Sequence, residues 1–257
     1  MINKVKIKSV IFLCAILVLV FSLSLIIDDS EYQEIKFIEL KGDYHLSQNE
    51  YFEFAKLENQ DDYYLLTARI VKDRLEKHPY VSKVDVLLNE NKLSVEITEK
   101  EFETLLMSNK KEYLISANSI IIPKLPNSEK IDYPIISNPF DGAKIEEFEK
   151  ATNNEDVKIG LKIILTLKII NPNLFENLSE INLRNGKDIL LQFSQFEAPV
   201  VLGRNNEIEK VMYLDKLVQK FDQTHINNVL NYIDLRYSKY IYLGKSENTD
   251  SIQESNT

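Results

Sequence analysis

Few residues of this 257-residue chain have the types and spacing that catalysis requires. A catalytic site needs a nucleophile with a base, paired carboxylates in a cleft, or a set of metal ligands. The three histidines, His45, His78 and His225, are far apart in the sequence, and none has a second histidine or a cysteine close by. Zinc sites depend on such neighbouring ligands. We therefore interpret the histidines as structural or solvated residues.

The remaining chemical motifs are also missing from the sequence. It contains no glycine-rich phosphate loop and no Gly-x-Ser-x-Gly nucleophile turn. The acidic doublets Asp61-Asp62 and Glu146-Glu147 lie in polar segments, where paired charges are usually solvated. Cys14 is the only cysteine, which excludes an intrachain disulfide and a cysteine-based metal cage. The sequence predicts a protein that is not an enzyme and has no cofactor, metal or small-molecule substrate.

The residues best suited to binding another protein lie near the C-terminus. Over Tyr232–Leu243 we predict one final strand, in which Ile233 and Leu235 face a core while Tyr232, Asp234 and Arg236 face the other side. Tyrosine and arginine concentrate binding energy at interfaces, and an edge strand offers backbone groups to a partner strand. Alternatively, the tyrosines are ordinary strand residues and Asp234 and Arg236 form a local ion pair. The residues alone leave these interpretations equal.

The charge of the chain argues against nucleic acid as a partner. The formal net charge is −9. Lys4, Lys6 and Lys8 precede a long uncharged segment, so the rest of the chain carries a formal net charge of −12. Nucleic-acid binding depends on clustered lysine and arginine, and no basic stripe is present.

The uncharged segment, residues 10–27, is apolar and close to the ~20 residues that cross a bilayer. Lysines precede it and Asp28, Asp29 and Glu31 follow it, which predicts a single-pass helix with a cytoplasmic N-terminal tail, residues 1–9. The alternative is a cleaved signal peptide. Against it, the segment is longer than the ~7–15 residues of a signal core, and no small-x-small cleavage pattern follows.

For residues 32–99 the sequence pattern predicts a small βααββ module. A strand over Ile35–Leu40 is followed by a helix with the capping box Ser47–Glu50. The second helix places Tyr64, Ala68, Val71 and Leu75 on one stripe and ends at His78-Pro79. Alternating Val84–Leu88 and Leu93–Ile97 predict a hairpin.

Residues 100–245 predict a larger, mixed β domain with two helices, so the fold class is α+β. The helices are expected over Glu155–Ile170 and Glu207–Phe221, and Asn185-Gly186 predicts a hairpin turn. Residues 125–151 are expected to be irregular and exposed around the apolar run Tyr133–Ile136, and residues 246–257 to be a disordered tail. The other strands are expected at Tyr113–Ile115, Ile120–Ile122, Ile181–Leu183, Ile189–Phe193 and Val200–Leu202.

In this order, the segments resemble the FtsQ/DivIB family of bacterial cell-division proteins, over nearly the whole chain. The motifs that carry the resemblance are Phe37–Gly42, His78–Val81, Val95–Glu101, Val201–Arg204 and, most specifically, Tyr232–Tyr237 with its Asp-Leu-Arg core. Two positions depart from the family pattern: Ser116–Ser119 replaces a common Asp-x-x-Gly turn, and Phe102 stands where a proline is common. Both concern loop geometry.

The resemblance implies a non-enzymatic scaffold at the division septum, with a transmembrane helix, a POTRA domain and a β domain. It implies partners similar to FtsB and FtsL, and an indirect effect on septal peptidoglycan synthases. The docking site would be the last strand together with the Gly203-Arg204 site. The partner-binding residues predicted on this basis are Arg204, Arg236, Tyr237, Ser238, Tyr240 and Tyr242.

Two other functions remain as alternatives. A POTRA-bearing chaperone or assembly factor for exported or outer-membrane proteins would normally carry several POTRA repeats, and the sequence contains one such unit. A secreted or anchored cell-wall hydrolase would require a catalytic acid, which the sequence does not single out.

Overall fold

The computed structural model describes residues 16–18, 34–140, 145–220, 230–237 and 240–245. The predicted cytoplasmic tail, most of the predicted membrane segment and the predicted C-terminal tail lie outside these residues. Ile16, Leu17 and Val18, from the predicted membrane segment, are helical and exposed. None of the helices in the described residues is long and apolar enough to cross a membrane.

Residues 34–99 form a small module, called here the N-terminal module, in which two helices cover one face of a three-stranded sheet. The strand order is β1-β3-β2, with β1 parallel to β3 and β2 antiparallel to it. The capping box at the start of α1 is present: the Glu50 carboxylate accepts a hydrogen bond from the Ser47 N–H at 2.8 Å. The elements are β1 (Phe37–Lys41), α1 (Gln48–Ala55), a 3₁₀ turn (Gln60–Leu65), α2 (Ala68–Glu76), β2 (Val81–Asn89) and β3 (Lys92–Glu99).

The apolar stripe predicted for the second helix is correct only from Ala68 onward. Val71 and Leu75 are completely buried, but Tyr64 is 59% exposed. Thr67 caps α2 by accepting a hydrogen bond from the Ile70 N–H, so the helix begins after Tyr64. The preceding 3₁₀ turn has a different period and buries Tyr63 instead.

The rest of the described chain forms a nine-stranded mixed sheet with helices, so the chain is a mixed α+β protein as predicted. The strand order is β12-β11-β10-β9-β8-β7-β4-β5-β6. Its strands are β4 (Phe102–Ser108), β5 (Lys111–Ser116), β6 (Ile121–Pro123), β7 (Ile135–Ser137), β8 (Leu178–Asn182), β9 (Ile189–Phe193), β10 (Phe196–Gly203), β11 (Leu230–Asp234) and β12 (Tyr242–Lys245). Its helices are α3 (Glu155–Ile170), α4 (Pro172–Glu176) and α5 (Glu207–Val218), with short 3₁₀ turns at Ala151–Asn153 and Arg184–Gly186.

The prediction of a single final strand over Tyr232–Leu243 is wrong. The structure has two antiparallel strands there, β11 and β12, separated by residues 235–241. The Asp234 side chain accepts a hydrogen bond from the Arg236 N–H at 3.0 Å, so the backbone turns immediately after β11. Ser238 lies outside the described residues. β4, β7 and the short helix α4 were not predicted, because each is brief or lacks a clear period.

The nine-stranded sheet has a different partner on each face. One face packs against α3, α4 and α5 around a core that includes Ile136, Leu167, Leu191 and Ile233. Leu105, Leu114 and Ile122 point the other way and join the core of the N-terminal module. That second core therefore extends across the predicted boundary at residue 99.

The segment between β6 and β7, residues 124–134, is called here the strap, because it crosses onto the N-terminal module. The prediction that residues 125–151 are irregular and exposed does not hold for this part: Leu125, Ile131 and Tyr133 are partly buried against the module core. The Glu129 N–H donates to the His45 carbonyl at 2.8 Å, and the Leu125 N–H donates to the Tyr80 hydroxyl at 2.8 Å. The strap thus ties the large sheet to the N-terminal module.

Candidate partner-binding edge

The C-terminal strands form one end of the nine-stranded sheet. β11 pairs in parallel with β10, so that Ile233 lies opposite Val200, and β12 pairs antiparallel with β11. Ile233 and Leu235 are buried in the helix-covered core, which confirms the predicted inward face. In the described chain β12 pairs with β11 alone and is the outermost strand. No strand among the residues that the structure describes pairs with its second side, which makes it the edge of the sheet.

An ion-pair network fixes the backbone that leaves β11. Arg236 donates to the buried Asp234 through Nε at 3.0 Å and through a terminal nitrogen at 2.6 Å, and to Asp188 at 3.0 Å. The hydrogen bond from Arg236 holds the pKa of Asp234 below its ordinary value, and the same pairing raises the pKa of Arg236. The local ion pair between Asp234 and Arg236, which the sequence suggested as an alternative, is therefore present. It holds the backbone in place where the chain leaves β11.

Gly203 sits against this arginine. Its φ is +68°, and a Cβ added there would lie 2.7 Å from Cγ of Arg236. A side chain at position 203 would therefore be strained by its backbone angle and would displace the arginine. The glycine therefore permits Arg236 to pack closely against the end of β10.

Arg204 lies close to Arg236 in the fold but is engaged with its own chain. It donates to Asp156 at 2.7 Å and to the carbonyls of Lys187 and Leu183. Its side chain is 23% exposed. Asp156 is in the first turn of α3, so Arg204 fixes that helix against the β8–β9 connection. The predicted role of Arg204 in partner binding stays a prediction.

Three tyrosines form an exposed aromatic cluster at the edge. The Tyr237 and Tyr242 rings meet edge to face with their centroids 5.1 Å apart, and Tyr240 lies 6.5 Å from Tyr242. These side chains are 55%, 50% and 68% exposed, for Tyr237, Tyr242 and Tyr240 respectively. Aromatic rings that pack against one another yet stay largely exposed are typical of interface anchors.

A groove of about 330 Å³ lies between this cluster and helix α5. Leu235 forms its apolar floor, and Tyr213 and Ile241 were not singled out from the sequence. Tyr213 lies one helical turn after Glu209 and donates to it at 2.7 Å. The spacing of Glu209 and Tyr213 on the exposed side of α5 was the signal available in the sequence. The groove itself also depends on Leu235 and the residues after it, which lie 22 or more positions beyond Tyr213. The lining residues are Asn206, Glu209, Lys210, Tyr213, Leu235, Tyr237, Tyr240 and Ile241.

Gly244 is a further residue that the sequence did not single out. It lies opposite Tyr232 in the β11–β12 pair, and a Cβ at position 244 would overlap the Tyr232 ring. The ring can only cover β12 because this residue is glycine.

His45 and His78 are held by hydrogen bonds within the fold, and the two acidic doublets lie at the surface. His45 bonds to Glu99 and to the Tyr133 hydroxyl, and His78 accepts from the Tyr80 N–H at 3.1 Å, while His225 lies outside the described residues. The doublets Asp61-Asp62 and Glu146-Glu147 are exposed. Among the residues that the structure covers, no group of three potential ligands could hold a metal ion.

The sequence of the chain matches that of known cell-division proteins. The family model for "Cell division protein FtsQ/DivIB, C-terminal" matches residues 105–236, which make up about half of the chain. These residues include most of the nine-stranded sheet and end at the Asp-Leu-Arg motif. The chain is thus related to proteins that act in bacterial division.

A similar protein is Cell division protein FtsQ of Geotalea daltonii (strain DSM 22248 / JCM 15807 / FRC-32). It is 28% identical over 216 residues, which cover 83% of this chain and 75% of the relative. The chain belongs to the FtsQ/DivIB family, as the resemblance of its motifs indicated.

Proposed function

We propose that this protein is a non-enzymatic scaffold of the division machinery that holds an FtsB–FtsL-like pair at the β12 edge. The observation that carries the proposal is the open edge strand flanked by the exposed cluster Tyr237, Tyr240 and Tyr242. A partner strand added to β12 would gain backbone hydrogen bonds, and the tyrosines would supply apolar contact area.

The proposed organisation follows the sequence. Residues 10–27 cross the cell membrane once with the N-terminus in the cytoplasm, the N-terminal module is a POTRA domain near the membrane, and the large sheet recruits the partners outside. By assembling that complex the protein influences septal peptidoglycan synthesis through other enzymes. A fluorescent fusion concentrated at the septum supports this function, and a uniform membrane signal throughout the cell cycle counts against it.

The membrane anchor has its own test. Intact mass of the membrane-extracted protein should show residues 10–27 retained. A mature chain that begins after residue 22 would mean that a signal peptide has been removed, and the single-pass topology would be wrong.

Calorimetry with a purified FtsB–FtsL-like pair tests the edge. Tyr237→Ala should weaken binding by about 2 kcal/mol if the residue is an interface hot spot, because truncation removes ring area from the cluster. Tyr64→Ala is the matched control, since Tyr64 is 59% exposed and lies on the N-terminal module. Unchanged affinity in Tyr237→Ala, or a loss equal to that of the control, would contradict edge docking.

Arg236→Glu should weaken binding as well, but it also breaks the pairs with Asp234 and Asp188. A melting temperature measured for each variant separates the two effects. If affinity falls only when the melting temperature falls, these residues have a structural role and the edge is not the docking site. Charge reversal at Lys110, in the exposed β4–β5 turn, should change neither quantity.

A further inference from the structure

A second groove, called here the sheet gap, interrupts the middle of the nine-stranded sheet. β4 begins at Phe102 and β8 at Leu178, but the short strand between them, β7, pairs only from Leu105 and from Glu180 onward. The end of the strap therefore leaves a space between the first residues of β4 and β8. Its volume is about 650 Å³, within the range of known ligand sites.

The sheet gap has an apolar floor. Ile131 and Ile135 line it from the strap side, and Phe175 lines it from helix α4. All three are only partly buried by their own chain. An added apolar side chain would remove their remaining surface from water, which is favourable.

One wall of the sheet gap is fixed by an ion pair. Lys168 of α3 binds Glu103 of β4, and its ammonium group lies 5.0 Å from the centre of the Phe175 ring. The lysine charge is thus satisfied within the protein. In the part of the chain that the structure describes, Asp132 and Glu176 at the rim form no ion pair.

The electrostatic character of the sheet gap is acidic. Asp132 and Glu176 are exposed at its rim, and with Glu103 they outnumber Lys168, the one lysine that lines it. A neighbouring groove of about 520 Å³ shares Phe102, Glu103, Tyr133 and Lys168 with the gap. Its other charged lining residues are Glu99, Lys100 and the exposed Glu101. The two grooves share these residues where the large sheet meets the N-terminal module, and carboxylates outnumber lysines in the lining of each.

Charge decides among the possible occupants. Residues 28–33 and 246–257 of this chain are acidic and would be repelled, as would a second copy with its net charge of −9. Lys4, Lys6 and Lys8 belong to the tail proposed to lie on the other side of the membrane. A basic segment of a different polypeptide is the occupant whose charge complements this rim.

We propose that the sheet gap binds an extended segment of a partner protein in which large apolar side chains are flanked by lysine or arginine. This site goes beyond the proposed docking at β12, from which three strands separate β8. The apolar side chains fill the floor against Ile131 and Phe175, and the flanking cations meet Asp132 and Glu176. The protein would then contact two partners at once.

The experiment uses the full chain in detergent with labelled isoleucine methyl groups. It is titrated with the capped peptide Lys-Ile-Phe-Ile-Lys and with its charge-reversed counterpart Glu-Ile-Phe-Ile-Glu. The methyl signals of Ile131 and Ile135 should shift saturably with the basic peptide and at least fivefold more weakly with the acidic one. Equal response to both peptides, or no shift of either methyl signal with the basic peptide, would overturn the proposal.

Two sets of variants locate the binding. Ser179→Trp should fill the sheet gap and abolish the shifts, whereas Asn173→Trp, on the exposed side of α4, should leave them unchanged. The double variant Asp132→Lys with Glu176→Lys should reverse the peptide preference even if the tryptophan variant fails to fold, and Glu147→Lys is its control. Binding that survives both sets of changes would refute the site.

Tyr237→Ala should leave the peptide titration unaltered, so failure here and failure at the β12 edge are distinguishable.

Discussion

Two regions of this protein use a carboxylate to fix a turn, yet they differ in what surrounds it. At the contact between the modules, Glu99 is bound by Tyr51, by His45 and by backbone N–H groups, and the His45 and Glu99 side chains are about 5% exposed. At the β12 edge, Asp234 is equally buried, but its partner Arg236 is 43% exposed. The first network lies inside a core and the second at the surface.

This difference separates stability from binding. A buried polar network is costly to leave incomplete, because its donors lose both water and their partner. An exposed arginine and its neighbouring tyrosines can be changed at lower cost, and another protein can reach them. We therefore expect changes at the module contact to act mainly on unfolding, and changes at the β12 edge mainly on partner affinity.

The largest effect is expected at Glu99. Burial would raise the pKa of Glu99, but the hydrogen bonds from Tyr51, Tyr44 and His45 outweigh it and hold the pKa below its ordinary value, so the residue is a carboxylate at neutral pH. Glu99→Ala leaves those donors without their acceptor and should lower the free energy of unfolding by about 3–5 kcal/mol. Urea unfolding of the full chain measures the loss. Glu96→Ala, exposed on the same strand, should cost about 0.5 kcal/mol or less.

The next effect concerns His78, which burial keeps neutral. Burial lowers the pKa of His78 from 6.5 to about 4, with Lys100 acting in the same direction and Glu99 and Glu50 opposing it. The unfolded chain binds this proton below pH 6.5 and the folded chain does not. The stabilisation is therefore complete above pH 6.5 and is lost as the pH falls toward 4, by roughly 3 kcal/mol in total.

Urea unfolding between pH 7 and pH 4.5 tests this expectation. His78→Asn keeps an acceptor for the Tyr80 N–H but cannot take up the proton, so it should flatten this part of the pH profile. An unchanged profile would assign the acid sensitivity to other groups. Partner affinity at the β12 edge should stay constant over the same range, because Asp234 has its pKa held below 3.8 by Arg236.

Gly244→Ala should give a smaller effect and act on binding. The new methyl group would displace the Tyr232 ring, which lies over β12, and would distort the strand offered to a partner. We expect about a tenfold loss of partner affinity, or about 1.4 kcal/mol, with little change in the melting temperature. Adding Tyr232→Ser removes the overlap and should restore affinity. If the double variant stays as weak as the single one, Gly244 acts in another way.

The smallest effect is expected from the strap. Tyr133→Phe removes only the hydroxyl that binds His45 and should cost about 1 kcal/mol of stability. Tyr113→Phe is a matched control in the other core, where no hydrogen bond of the hydroxyl is seen. Unfolding curves that coincide for both variants would mean that the strap does not hold the modules together through this bond.

Local pattern alone determined the type of most elements. The capping box at Ser47, the alternation of β2 and β3 and the helices α3 and α5 follow from neighbouring residues, because helix caps and side-chain periods are local properties. The burial of Ile233 and Leu235 was also predicted from the local pattern. The family motifs are likewise short local stretches of sequence. Each of these features depends on residues only a few positions apart.

The tertiary structure decided what those elements do together. The split between β11 and β12 depends on an arginine that folds back onto Asp234. The network around Glu99 includes His45, which is bound by Tyr133 from a strap that begins 25 residues after Glu99. Arg204 was predicted to bind a partner, and the structure adds an ion pair with Asp156, 48 positions away, that the sequence did not indicate. Such contacts arise from long-range packing, and the energy that selects them is absent from any short window of sequence.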